Sequence, residues 1–187
     1  QRKYGYVPNY AEVFCYRPEL MELWAKLLAG IRRHIEPKRF ELVTLATAYE
    51  LRNSACALAH GNALTEFFSA DDVCAMVKGR PSQLDDAEQA MFDFSRKLAA
   101  DAASITQGDV NILRANGFSD AQIFDIVITS AARCFFTKVL DGLGVQADST
   151  ALSINQSLRD TLTIGRPIST RNPEKIDADI NRILEEL

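Results

Sequence analysis

The segment Asn53-Ser54-Ala55-Cys56-Ala57-Leu58-Ala59-His60 carries the residue types and spacing best suited to chemistry in this chain. Asn is a strong helix N-cap, and with Asn53 in that role Cys56 becomes the third residue of a helix. The unpaired N–H groups and the positive end of the helix dipole favour thiolate over thiol there. His60 follows four residues on, one turn away on the same face. An imidazole so placed can take the thiol proton or hold the resulting ion pair, drawing the thiol from its ordinary pKa of about 8.5 toward neutrality. Glu41 belongs to the preceding helical segment. If the two helices fold as a hairpin, its carboxylate reaches His60 directly or through one water. It then fixes the imidazole tautomer and raises its basicity, as the third member of a triad does.

Two other readings use the same residues. Cysteine is among the most buried residue types, so Cys56 and His60 on an Ala-rich helix also fit plain core packing, with Glu41 a surface carboxylate. Cys56, His60 and Glu41 could instead supply three zinc ligands, but only His34 and the scattered Cys15, Cys74 and Cys134 remain for a fourth, with no metal-like spacing. His34, beside Arg32 and Arg33 at a helix end, suits the negative end of the dipole better than catalysis. Arg133 and Asp125, eight residues apart on similar helical faces, read as a buried ion pair or subunit contact, with recognition of a substrate carboxylate as the sharper option. Phe67-Phe68 and Phe135-Phe136 could line an apolar pocket, or serve as core or oligomer contacts.

The composition expects these residues to be held by helices. Among 187 residues, Ala contributes 24 and Leu 19, while Gly and Pro together number only 15. Strong helix formers with few breakers point to an all-α chain. Hydrophobic residues at 47% and charged residues at 25% are ordinary for a globular protein and exclude a disordered one. A net charge of −4 offers no basic footprint for nucleic acid. The most apolar stretch, 123–140, carries Asp125, Arg133 and Lys138, which argues against a membrane span. Four cysteines without CxxC spacing fit a reducing, cytoplasmic setting.

Periodicity and capping residues place helices at 18–35, 37–51, 53–68, about 70–78, 86–100, 107–115 and 120–140. The first has apolar positions at Leu20, Leu23, Trp24, Leu27, Leu28 and Ile31. The last, nearly apolar all round in its middle, is expected to be the central core helix. Beyond 141 the composition turns polar, reading as loop and short helix. Residues 173–187 read as an amphipathic helix with Ile176, Ile180, Ile183 and Leu184. The tail from about 145 is expected to wrap a neighbour or the domain surface.

Glu41-Leu42-Val43, Ala46 and the run 52–61 resemble the signature of the AhpD-like superfamily, which includes alkylhydroperoxidases and carboxymuconolactone decarboxylases. That signature is a Glu followed by Cys-x-x-Cys-x-x-x-His, with the Glu about nineteen residues before the His; Glu41 and His60 keep the separation. Residues 87–98, 117–123 and 140–145 continue the likeness in order, in a pattern similar to the peroxidase-related branch spanning roughly residues 7–146. The resemblance implies an AhpD-like helical bundle of about eight helices, a single domain over 1–187 with 146–187 a C-terminal helical extension. It implies a thiol-dependent peroxidase-like oxidoreductase with Cys56 as nucleophile, His60 as base and Glu41 as orienter, using no metal, haem or flavin. A small hydroperoxide or organic acid, an external thiol reductant and further copies of the chain are its implied partners. Two departures stand out: Asn53 occupies the place of the first Cys, and Ala55 that of a second His found in some members. No Cys-x-x-Cys disulfide can form, so a sulfenic acid on Cys56 would need an external thiol or another cysteine, Cys74 or Cys134. A cofactor-free decarboxylase-type lyase, with His60 and Glu41 moving protons, and a catalytically silent helical oligomer are the alternatives.

Overall fold

Side chains that cap helices set most of the boundaries in this chain. Asn53, Ser69, Asp85, Thr106, Ser119 and Asn155 each accept a hydrogen bond from a backbone N–H one turn into the helix they start. At Asp85, Thr106 and Ser119 a reciprocal bond completes a capping box. Pro18 and Pro37 begin two more helices, where the missing N–H costs nothing.

The computed structural model describes residues 6–80 and 83–171, and the expected helix over 173–187 lies outside them. The described residues contain nine α-helices, four short 3₁₀ turns and no strand. The helices are α1 (Asn9–Glu12), α2 (Pro18–Ile31), α3 (Pro37–Glu50), α4 (Ser54–Ala63), α5 (Ala70–Val77), α6 (Asp86–Ala100), α7 (Gln107–Ala115), α8 (Asp120–Gly142) and α9 (Gln156–Leu162). No helix among these residues is long and apolar enough to cross a membrane.

Three expectations are corrected. Helix α2 stops at Ile31 rather than 35, because Glu36 must be extended ahead of Pro37 and the intervening residues unwind into a turn. Helix α4 ends at Ala63 and tightens into a 3₁₀ turn over Leu64–Glu66. The central helix is α3, not α8. Every residue from Phe40 to Ala48 is buried, and α3 packs on α4, α6 and α8. Helix α8 buries one stripe, including Ile126, Arg133 and Leu140, and leaves Phe124 and Phe135 exposed. Helix α2 likewise buries Trp24 and Ile31 but exposes Leu20, Leu23 and Leu27.

The junction of α3 and α4 is a three-residue reversal, Leu51 to Asn53. The Asn53 N–H donates to the Ala48 carbonyl and the Arg52 N–H to that of Tyr49, the paired bonds of a Schellman motif. Arg52 occupies the left-handed position at φ 57°, where glycine is usual. Asn53 therefore closes α3 with its backbone and opens α4 with its side chain.

The tail folds back over this junction. The Gly165 N–H donates to Ser54 Oγ at 2.9 Å, and Arg52 reaches the Ile164 carbonyl. Helix α9 lies on α4 and α5, with the buried Leu162 side chain filling the space that Gly61 leaves free of a Cβ. Ser169 then donates its N–H to Ala147. At Gly165 an added Cβ would stand 2.0 Å from the Arg52 carbonyl oxygen, which is backbone and cannot rotate aside. Gly165→Ala should therefore lower unfolding free energy by about 1–3 kcal/mol. Urea denaturation measures this, and unchanged stability would mean the tail does not dock as described.

Candidate functional site

The α3–α4 hairpin brings Glu41 and His60 together. His60 Nδ1 donates to Glu41 Oε2 at 2.6 Å, and the second carboxylate oxygen accepts from Arg32 at 3.3 Å. Both oxygens act as acceptors, so the Nδ1 position carries the proton and Nε2 of the neutral ring keeps its lone pair. Phe40 meets the His60 ring edge-on, and the Arg32 guanidinium lies 4.5 Å from the Phe40 ring centroid. These packed neighbours hold the imidazole in one orientation.

Cys56 is the third residue of α4, as its spacing from Asn53 predicts, and its backbone N–H donates to Asn53 Oδ1 at 2.8 Å. The thiol itself is buried and faces Arg133 of α8, whose Nη1 donates to Sγ at 3.4 Å. Helix α8 is registered against α3 one turn earlier by the buried Thr47–Ser130 hydroxyl pair at 2.8 Å. Among the described residues no hydrogen bond joins Cys56 to His60 and no ion pair joins Arg133 to Asp125. The expected Arg133–Asp125 pair is thus replaced by an Arg133–Cys56 contact.

The electrostatics differ from expectation in one direction. Burial pushes the Cys56 thiol up, and the Arg133 charge and hydrogen bond pull against it without cancelling it. Burial also lowers His60 to about 4; the Arg133 charge adds to this, and Glu41 opposes it. His60 is therefore a neutral acceptor at physiological pH. Arg133 is 4% exposed, and its Nε–H has no hydrogen-bond partner among the described residues. A buried donor left unpaired costs about 1–3 kcal/mol.

Arg133 and Arg32 are the contacts that sequence reasoning missed. The signal for Arg133 was a charge in the apolar middle of a helix, but nothing in the sequence pointed to a partner 77 residues away. For Arg32 the sequence offers only a cation suited to a helix end. The remaining candidates stay apart from this cluster. His34 and Cys15 are exposed, and Cys74 is buried where α5 meets α9. All four cysteines are free. Among the described residues no three His, Cys, Asp or Glu side chains converge as a metal set.

Because His60 titrates near 4 when folded and near 6.5 when exposed, the unfolded chain binds the extra proton between those values. Its contribution to stability is complete above about pH 6.5 and is lost as pH falls toward 4, on the order of 3 kcal/mol in all. Unfolding titrations of wild type and His60→Gln test this. The wild-type stability should fall across that window with a slope that the variant lacks.

No family model and no curated protein matches this chain. Solved structures do. An uncharacterized peroxidase-related protein from Silicibacter sp. TM1040 is 21% identical, with 82% of this chain and 83% of that one covered at a TM-score of 0.73. A second, an alkylhydroperoxidase AhpD core from Ralstonia eutropha JMP134, also an uncharacterized peroxidase-related protein, is 21% identical over 89% and 86% of the two chains, TM-score 0.68. The debrominase Bmp8 is 18% identical over 86% and 84%, TM-score 0.69. A variant of that debrominase has been solved with 2,3,4-tribromopyrrole. The order of the helices, the hairpin that pairs Glu41 with His60 and these likenesses together place the chain in the AhpD-like helical fold.

Proposed function

We propose that the protein is a thiol-dependent, peroxidase-like oxidoreductase acting on a small organic hydroperoxide through Cys56. The observation that supports this is that Cys56 and His60, on adjoining turns of α4, meet a buried guanidinium from α8 and a carboxylate from α3, Arg133 on the thiol and Glu41 on the neutral imidazole. In the reaction, Sγ attacks the outer peroxide oxygen. An S–O bond forms as the O–O bond breaks, Cys56 is oxidised to a sulfenic acid and the hydroperoxide is reduced to its alcohol. The thiol proton passes through His60 Nε2 to the departing oxygen, while Glu41 keeps the other nitrogen protonated. An external thiol then condenses with the sulfenic acid, releasing water, and a second thiol frees Cys56 as the external disulfide forms. Asn53 leaves no resolving cysteine in the same helix turn.

A decarboxylase-type lyase is the second reading, favoured by the closure of the His60–Glu41 pair on itself without a hydrogen bond to Cys56. The two readings separate in one experiment. With an organic hydroperoxide in single turnover, mass spectrometry with a sulfenic-acid trap should mark Cys56. His60→Ala should slow the marking about a hundredfold. Glu41→Gln should cost less, and the double variant little more than His60→Ala. An inert Cys56 in the presence of a labelled Cys15 would sink the thiol reading in favour of the lyase.

A second copy of the chain is the proposed cover for the exposed apolar row of Tyr16, Leu20, Leu23 and Leu27, beside which Phe135 leans on Trp24. Leu20, Leu23 and Leu27 recur at helical spacing along one face of α2, Tyr16 ends the 3₁₀ turn just before it, and a self-complementary contact would remove them from water. Sedimentation should show a species larger than the 20.8 kDa monomer, and Leu23→Glu with Leu27→Glu should shift it down. A wild-type monomer at micromolar concentration would refute this.

A further inference from the structure

Glu41 carries a charge that its histidine does not answer. The residue is 7% exposed, and the His60 ring that donates to one of its oxygens is neutral at physiological pH. A buried carboxylate needs a counter-charge. Among the described residues the other ion pair of Glu41 is with Arg32, whose Nη2 lies 3.3 Å from Oε1. Arg32 follows the last residue of α2, and its backbone N–H still donates to the Leu28 carbonyl. Its guanidinium is held twice, by the carboxylate and by the Phe40 ring, whose centroid is 4.5 Å from Cζ. The same Phe40 meets the His60 ring edge-on. Half of the Arg32 side chain remains in water, so its charge is kept with little loss of hydration.

We propose that Arg32 is a positioning residue of the site, the counter-ion that allows a Glu41 carboxylate to stand beside a neutral His60. It acts on the base through the carboxylate and does not touch the reacting atoms. This rests on His60 as the proton acceptor of the reading above. Without Arg32, the readiest counter-charge for the carboxylate is a second proton on the imidazole. That proton occupies Nε2, the nitrogen the reaction needs as acceptor. Glu41 from α3 favours the imidazolium, while Arg133 from α8 and Arg32 from the end of α2 oppose it. Helix α9 meets α4 at Gly61 through the apolar Leu162, and Glu66 of the 3₁₀ turn after α4 is exposed. Of the two cations, only Arg32 also bonds the carboxylate. It therefore fixes one oxygen of Glu41 while the other is left for Nδ1.

The test uses the full chain and NMR of its two histidines, with His34→Gln assigning the signals. Long-range ¹H–¹⁵N spectra across pH read the protonation of each ring nitrogen with no substrate present. The wild-type His60 ring should titrate at about 4, with its one proton on Nδ1 above that. Arg32→Met keeps a side chain on the Phe40 ring and removes the charge, so the midpoint should rise by about half a unit. Arg32→Lys returns the charge and should bring the midpoint back to the wild-type value. Single-turnover oxidation of Cys56 by tert-butyl hydroperoxide supplies the second readout. In Arg32→Met the acidic limb of its pH profile should move up by the same half unit, with the rate at pH 7 little changed. An Arg32 that only supports the fold would lower the rate at every pH and leave the ring midpoint in place, and that result overturns the proposal. A lowered midpoint overturns it too. If Arg32→Met does not fold, Arg32→Gln, suited to a half-exposed position, replaces it with the same expected shift. A ring midpoint that moves with Arg32 in a protein whose Cys56 resists hydroperoxide supports the counter-ion and removes the peroxidase reading. An oxidisable Cys56 with an unmoved ring midpoint does the reverse.

Discussion

A permanent positive charge buried beside a thiol governs the electrostatics of this molecule's centre. Arg133 cannot shed its proton, and it sits almost wholly out of water. Its field reaches both members of the α4 helix turn. It draws Cys56 toward ionisation against the pull of burial, and it disfavours a second cation on His60. Burial first, and the Arg133 charge with it, hold the histidine neutral, and the thiol has a charge to lean on that is not the imidazole. The imidazole thus keeps a free acceptor nitrogen and the guanidinium keeps the charge, two properties that a Cys–His ion pair would have merged into one residue.

The geometry that makes this possible comes from the α3–α4 reversal. Glu41 and His60 are nineteen residues apart and could face each other only if the chain turned back sharply between them. Two Schellman bonds and one N-cap accomplish that with three residues between the helices. Asn53 takes part in both, so a single carboxamide fixes the start of α4 and, with it, the helical phase of Cys56 and His60. The third wall arrives from α8, whose register against α3 is pinned by two hydroxyls in the core. Once these helices are set, the tail closes over the junction through Ser54, the first residue of α4.

Local chemistry made much of this legible beforehand. Asn53, Ser69, Asp85, Thr106 and Ser119 start helices because each offers an oxygen to a neighbouring N–H, an interaction confined to four residues of chain. The Glu41–His60 bond was accessible for the same reason, since only one reversal separates the two. Contacts across long stretches of sequence were not. Arg133 looked equally able to pair with Asp125, and only the packing of α8 and α4 on the same helix, α3, decides for Cys56. The hierarchy of helices was misjudged similarly. Helix α8 is the more apolar to the eye, but α3, with its threonines and two glutamates, is the one surrounded, because Thr44 and Thr47 satisfy their hydroxyls within the core. Burial of the thiol, one of the two readings open from the sequence, reverses the direction in which a helix N-terminus alone would move its ionisation.

The left-handed Arg52 bears on how this region can drift over evolutionary time. A side chain bearing Cβ in that conformation is disfavoured by roughly 1–2 kcal/mol, so glycine would be the locally easier occupant. Glycine would also discard the guanidinium that reaches the Ile164 carbonyl of the returning tail. The two effects have opposite signs and fall on different parts of the molecule. A lineage that shortens or re-routes its C-terminal segment is thereby released to accept glycine at the hinge. One that keeps the tail in place retains a reason for a long cationic side chain there. Position 52 and the course of the chain near 164 should accordingly vary together among relatives, as a paired character rather than as two independent sites.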